Sequence, residues 1–276
     1  MRTLAVINQK GGVGKTTTAV NISASLAEMG QRVCLVDLDP QSHASLHLGM
    51  ALDEGDPSIY DALIGRAELA DIRTHVSENL SLIPAHLDLA AAELELASEV
   101  GREVILRDLI ERDKEPFDLL MIDCPPSLGI LTLNALTSVN EVLLPLQSHY
   151  LALHGLSKLL RTISVVSSRL NPQLKLTGVI LSLFESGTRL SAEVSRDVES
   201  FFAEQSQTNQ PWSDAQVFAT RIRKNVRLAE APSFGQSIFQ YAPQSNGAED
   251  YHKLAIELMA TAPTASRSNT VQSAQH

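Results

Sequence analysis

Residues 10–17 read Lys-Gly-Gly-Val-Gly-Lys-Thr-Thr, between an apolar run (Leu4 to Asn8) and an amphipathic segment (Thr18 to Met29) that ends at Gly30. The order is strand, phosphate loop, helix. Glycines at 11, 12 and 14 let successive backbone N–H groups turn inward as an anion nest, and the following helix offers its positive dipole end to the same phosphate. Lys15 then reaches the β- and γ-phosphates, the Thr16 hydroxyl ligates Mg²⁺, and Val13 and Thr17 complete the cradle. The pattern G-x-x-x-x-G-K-[ST] has Gln9 in place of its first glycine here, and a second lysine, Lys10, follows it. A lysine there is extra positive charge at a triphosphate.

Two acidic strand ends belong with this loop. Asp123 closes Leu119-Leu120-Met121-Ile122-Asp123, so its carboxylate stands at the carboxyl edge of a sheet, where doubly wound folds bind ligands. That is the place of a Walker B aspartate, which holds the Mg²⁺ shell. Asp37-Leu38-Asp39-Pro40-Gln41 closes the second strand at the same edge, with Asp37 and Asp39 on one side of a period-two strand. One of them is placed to reach an attacking water. The ordinary alternative for each is a helix cap or a turn.

The elements that must carry these groups alternate. Strand candidates lie at 4–8, 32–38, 79–84, 118–123, 141–146, 175–184 and 216–221, and helical stretches at 16–29, 88–112, 150–170 and 189–205. Most of the strands are continuous apolar runs, as strands covered on both faces are. The expectation is an α/β doubly wound, mostly parallel sheet of about seven to eight strands flanked by helices, in one domain spanning 1–262, with a polar, disordered tail at 263–276.

Composition narrows the function classes. A chain of 276 residues, 44% hydrophobic, can bury a sizeable core. No apolar run approaches the roughly 18 residues needed to cross a bilayer, and Met1-Arg2-Thr3 leads directly into the first strand with no room for a signal peptide, so a cytoplasmic protein is expected. Cys34 and Cys124 show no metal spacing and read as buried thiols. A net charge of −10 argues against a generally basic nucleic-acid binder, yet leaves room for a local basic patch. Arg221-Ile222-Arg223-Lys224-Asn225-Val226-Arg227 is such a patch.

The chain resembles the deviant Walker A ATPases of the ParA/MinD class, a branch of the P-loop NTPases, and within it the Soj-like partitioning proteins. The resemblance runs over roughly residues 2–260. It rests on KGGVGKTTT (10–18), DLDPQ (37–41), MIDCPPSLG (121–129) with NAL (134–136), PLQSHYLALHGL (145–156), NVRLAEAPSFGQSI (225–238) and GAEDYHKLA (247–255). It implies that ATP with Mg²⁺ closes a homodimer, that Lys10 reaches across to the partner's nucleotide, and that Asp39 supports hydrolysis by positioning water. Thr16, Asp39 and Asp123 are then the residues around the metal, and Lys10, Lys15 and Asp39 the catalytic set. It further implies slow turnover until a ParB-like centromere-binding partner stimulates it, and sequence-independent DNA contact by the ATP dimer, nucleoid-associated in that state. The candidate DNA contacts are Arg189, Arg223, Lys224 and Arg227, with Arg196 as an extension. The polar insert at 205–216, which holds Trp212, and the acidic 197–204 stretch work against DNA. Family members hold the base near Leu183, Phe184 and Arg221.

Other classes fit less well. A membrane-cycling ATPase needs a C-terminal amphipathic helix, whereas Ala262 to His276 has no apolar stripe and a single arginine. An iron–sulfur relative needs paired cysteines on the dimer axis, for which Cys34 is poorly placed. The alternative that stands is a relative that positions a protein cargo (a cellulose-synthesis, flagellar or conjugative apparatus) without DNA. His43, His47, His149 and His154 are scattered and read as capping, core or surface residues.

Overall fold

A computed structural model describes residues 1–147 and 155–261. Its elements in chain order are β1 (Arg2–Val6), α1 (Lys15–Glu28), β2 (Val33–Asp37), α2 (His43–His47), α3 (Ile59–Leu63), α4 (Leu69–Ile72), β3 (Thr74–Ser77) and β4 (Leu80–Ile83). There follow α5 (Leu89–Glu95), α6 (Ile105–Arg112), β5 (Leu119–Asp123), α7 (Ile130–Ser138), β6 (Glu141–Gln147), α8 (Leu156–Arg169) and β7 (Lys175–Ser182). The chain then forms α9 (Arg189–Gln205), β8 (Gln216–Val217), α10 (Val226–Glu230), α11 (Ile238–Tyr241) and α12 (Asn246–Ala260).

Among the described residues, eight strands make one sheet in the order β3-β4-β2-β5-β1-β6-β7-β8. Every pairing is parallel except that of β3 with β4. Strands β1, β2, β4, β5, β6 and β7 are buried on both faces, and each side of a strand feeds a different core. From β1, Ala5 joins one cluster and Leu4 and Val6 the other; β2 divides as Cys34 and Val36 against Val33 and Leu35, and β5 as Leu120 and Ile122 against Leu119 and Met121. That two-sided burial is why the strands read as unbroken apolar runs. One core is closed by α3 and α6 to α9, the other by α1, α2, α11 and α12. Cys34 and Cys124 are both free and buried.

The doubly wound α/β sheet agrees with expectation, with several local differences. The long 88–112 helix is two, α5 and α6, joined through a short 3-10 turn and a left-handed Gly101 (φ 75°). β3 is an antiparallel edge strand with alternating exposure, mostly polar and hence silent in a search for apolar runs. β8 has two residues in place of the six expected at 216–221. The 205–216 insert is anchored: Trp212 donates from Nε1 to Gln205 Oε1 at 3.3 Å and packs on the core. The start of the expected 150–170 helix, His149, His154 and the 263–276 tail lie outside the described residues. No described helix is long and apolar enough to cross a membrane.

Candidate nucleotide site

β1 is central in the sheet, and the chain leaves its carboxyl end into residues 7–14. Three strands hold this loop in place. Asn8 Nδ2 donates to the Pro145 carbonyl of β6 at 2.7 Å, Asn8 Oδ1 accepts the Lys10 N–H at 2.9 Å, and Ser182 Oγ of β7 donates to the Val13 carbonyl at 2.7 Å. Gly12 and Gly14 take φ of 73° and 87°, which a side chain would resist, and a Cβ added at Gly11 or Gly12 meets nothing within 4 Å. The concave side of the loop is therefore open. α1 starts from left-handed Gly14 with no side-chain cap, so its first N–H groups face the same space.

The two lysines differ sharply. Lys15 is buried, 7% exposed, with Nζ 3.4 Å from the Lys10 carbonyl. Burial lowers its pKa, against the pull of Asp123 and then Asp39, which raise it. Lys10 is exposed on the rim, its Nζ 3.5 Å from Gln147 Oε1.

The strand register brings the acids together. Asp123 at the end of β5 is the lateral partner of Val6 on β1 and of Asp37 on β2. Both Asp123 and Asp37 are fully buried. Asp37 is satisfied: Oδ2 accepts the Ser45 N–H at 2.8 Å and the Ser45 hydroxyl at 2.7 Å, and Oδ1 accepts the Asp39 N–H at 3.2 Å. Burial nevertheless pushes it up to about 6. Neither oxygen of Asp123 meets a donor among the described residues. Burial and then the adjacent Asp37 push Asp123 well above the usual carboxylate range, against the pull of the Thr16 hydroxyl and of Lys15, which lower it. An orphaned buried carboxylate is costly, and one beside a phosphate loop is what a cation would satisfy. Among the described residues no cluster of three or more His, Cys, Asp or Glu could enclose a metal ion. The residues thus fit a Mg²⁺ that takes phosphate oxygens and water in addition to Asp123 and Thr16.

Asp39 lies beyond the end of β2, on a turn, and not on the same strand as Asp37. It is 7% exposed, and Oδ1 accepts the Gln41 N–H at 3.0 Å. Of the two strand-end acids, Asp37 is thus the structural one.

A cavity of about 350 Å³ opens beside the loop, lined among others by Lys15, Thr17, Leu183, Ile222, Asn225 and Tyr251. Its size suits a small ligand. Leu183 holds a left-handed φ of 49°, a costly state for a branched side chain. Arg221 itself is not on this wall, since it pairs with Glu199 at 2.6 Å, but Leu183 and, from the region around Arg221, Ile222 and Asn225 line the cavity. Ser182, Asn225 and Tyr251 were not singled out in advance, because nothing in the sequence brings residues so far apart to one wall. His43 is exposed at the cavity rim, while His47 is buried with its pKa lowered to about 4 by burial.

The basic candidates all have partners. Arg189 pairs with Glu193 at 2.9 Å, Lys224 with Glu185 at 2.9 Å and Arg227 with Glu230 at 2.8 Å, each solvent-exposed. Arg223 is different, forked onto the buried Asp250 of α12 and also bound to Glu249. It ties its loop to α12.

Fold and loop together define a P-loop NTPase. The AAA domain family matches residues 1–176. Over 258 residues the chain is 45% identical to the sporulation initiation inhibitor protein Soj of Bacillus subtilis, covering 93% of this chain and 98% of that one. It is 44% identical over 260 residues to the chromosome partitioning protein ParA of Myxococcus xanthus, covering 94% and 88%. Among solved structures, cobyrinic acid a,c-diamide synthase from Mycobacterium smegmatis with bound ATP analog and magnesium superimposes with a TM-score of 0.79, at 39% identity and 94% coverage of both chains. The chain belongs to the Soj/ParA family of P-loop ATPases, in which the Soj of Treponema pallidum and the ParA of Myxococcus xanthus are chromosome-partitioning proteins.

Proposed function

We propose that the chain is a partitioning ATPase whose Mg²⁺·ATP-bound form is a homodimer that binds DNA without sequence preference, and which hydrolysis, stimulated by a ParB-like partner, releases. The observation that carries this reading is the pair of unlike lysines on one phosphate loop. Lys15, buried at the start of α1, binds the phosphates of its own nucleotide. Lys10, exposed on the rim, extends toward the nucleotide of a second protomer. Two facing triphosphates repel, and a lysine from each side offsets that repulsion. Mg²⁺, when bound, supplies charge neutralisation at the β- and γ-phosphates. Asp39, on its turn, orients the attacking water. Loss of the γ-phosphate removes what Lys10 and the Asp39 turn grip, so dimerisation is linked to nucleotide state.

Arg189, Lys224 and Arg227 supply the DNA contact. Their ion pairs are solvent-exposed and screened, so a phosphate can displace the carboxylate. Arg223, held by Asp250, contributes to the shape of the patch. A dimer doubles the patch, so weak single contacts add through avidity.

The test is binding to a random-sequence duplex with no nucleotide, ADP or ATP, using Asp39→Ala to prevent turnover. Binding in ATP alone, weakening with salt, is the expected result. An ATP dimer that binds no DNA in any state would replace this reading with a cargo-positioning ATPase whose partner is a protein.

A further inference from the structure

We infer that Ser45 is a positioning residue for hydrolysis, fixing the turn that carries Asp39 through the carboxylate of Asp37. The inference rests on the hydrolytic role proposed for Asp39. Ser45 is fully buried on α2, eight residues beyond Asp37. Its hydroxyl donates to Asp37 Oδ2 at 2.7 Å and accepts the Ala85 N–H at 3.0 Å, and its own N–H donates to the same Oδ2 at 2.8 Å. The other oxygen of Asp37 accepts the Asp39 N–H at 3.2 Å. One continuous chain of hydrogen bonds therefore runs from the segment after β4, through Ser45 and Asp37, to the backbone of Asp39.

The turn needs such a tie. Between Asp37 and α2 the chain makes the Asp39 O to Ser42 N–H bond at 2.8 Å and passes through Ser42 with φ of 54°, a left-handed residue that is not glycine. Strain of this kind persists only where the surroundings over-determine it. α2 is fixed at its other end as well. Just beyond it, Gly49 and Gly235 touch backbone to backbone, so that a Cβ at Gly235 would lie 2.7 Å from Gly49 Cα. With both ends of this five-residue helix held, Ser45 cannot follow Asp37 if the turn moves. The turn is thereby held to α2.

Ser45 is not among the residues that line the cavity, so its loss has a specific signature. In the full chain with Mg²⁺·ATP, Ser45→Ala should lower kcat by about 10- to 100-fold, the scale of an ångström-level misplacement, with KM for ATP nearly unchanged. Ser45→Thr, which keeps the hydroxyl, should restore most of kcat. Amide hydrogen exchange over residues 37–47 without nucleotide should be faster in Ser45→Ala than in the parent and close to the parent in Ser45→Thr. Should Ser45→Ala fail to fold, Ser45→Cys, similar in size and a weaker donor, replaces it in the same measurements. Unchanged kcat and exchange in Ser45→Ala, alongside loss of turnover in Asp39→Ala, would overturn the Ser45 assignment alone, as would equal impairment of the threonine variant. Normal turnover in Asp39→Ala would overturn the role of Asp39 and this inference with it.

Discussion

Replacing Asp123 with Asn should stabilise the nucleotide-free protein at neutral pH while abolishing its response to Mg²⁺·ATP. Asp123 is fully buried, abreast of Asp37, and neither of its oxygens has a hydrogen-bond partner among the described residues. Its folded pKa is raised above the ordinary 3.8 by burial and by Asp37, so over the window above pH 3.8 the native state holds a proton that the unfolded chain has released. Stability present below that window is lost as pH rises through it, up to the folded pKa. Each pH unit of that window is worth about 1.4 kcal/mol. Asn carries no such titration. Its buried amide, like the protonated acid, is unsatisfied, so that cost largely cancels in the comparison. Asp123→Asn should therefore be more stable than the parent at pH 7 and little different at pH 4, read from urea unfolding at both pH values. Saturating Mg²⁺·ATP should narrow that advantage, since ligand at 100 times Kd stabilises the parent by about 2.7 kcal/mol. A variant no more stable than the parent at pH 7, or one whose advantage is larger at pH 4, would refute the orphaned-carboxylate argument.

Lys15→Ala removes the buried ammonium at the start of α1, and ATP affinity should fall at least about tenfold, the cost of a charged hydrogen bond; undiminished affinity in calorimetric titration would sink the phosphate-loop assignment. Arg227→Ala should weaken ATP-dependent DNA binding on every sequence and reduce the salt slope by about one per protomer, so an unchanged slope moves the contact to another surface. Gly178→Ala places a Cβ 2.1 Å from the Phe218 ring in the core, and overpacking there should cost about 1–3 kcal/mol in denaturant unfolding with the nucleotide site intact. Equal midpoints for parent and variant would contradict that packing.

The parts of the fold legible in advance were those whose signal is local. Two-sided burial writes itself as apolar runs, as at Leu119-Leu120-Met121-Ile122, and the phosphate loop is a contiguous string whose glycines are fixed by backbone geometry. The break between α5 and α6 was hidden because Leu, Glu and Ala sustain a helical pattern across it, and one left-handed glycine decides otherwise. Edge strand β3 was hidden because half of it faces solvent. The basic residues at 221–227 were visible as a cluster, yet their carboxylate partners come from Glu185, Glu199, Glu230, Glu249 and Asp250, most of them on other elements.

The sequence by itself determined the chemistry of this protein: a strand, a glycine loop, two lysines and a threonine within a few residues, and acids at the ends of two apolar runs. What the tertiary structure decided was the division of labour between like residues. Asp37 and Asp39 are two positions apart and chemically identical, but one is gripped by Ser45 and the other is left on a turn. Arg223 and Arg227 stand in one short stretch, but one is forked onto a buried acid and the other is paired at the surface. The reason is physical: residue type and spacing set what a side chain can do, whereas its burial, its partners and its charge state depend on groups brought close only when distant segments pack together.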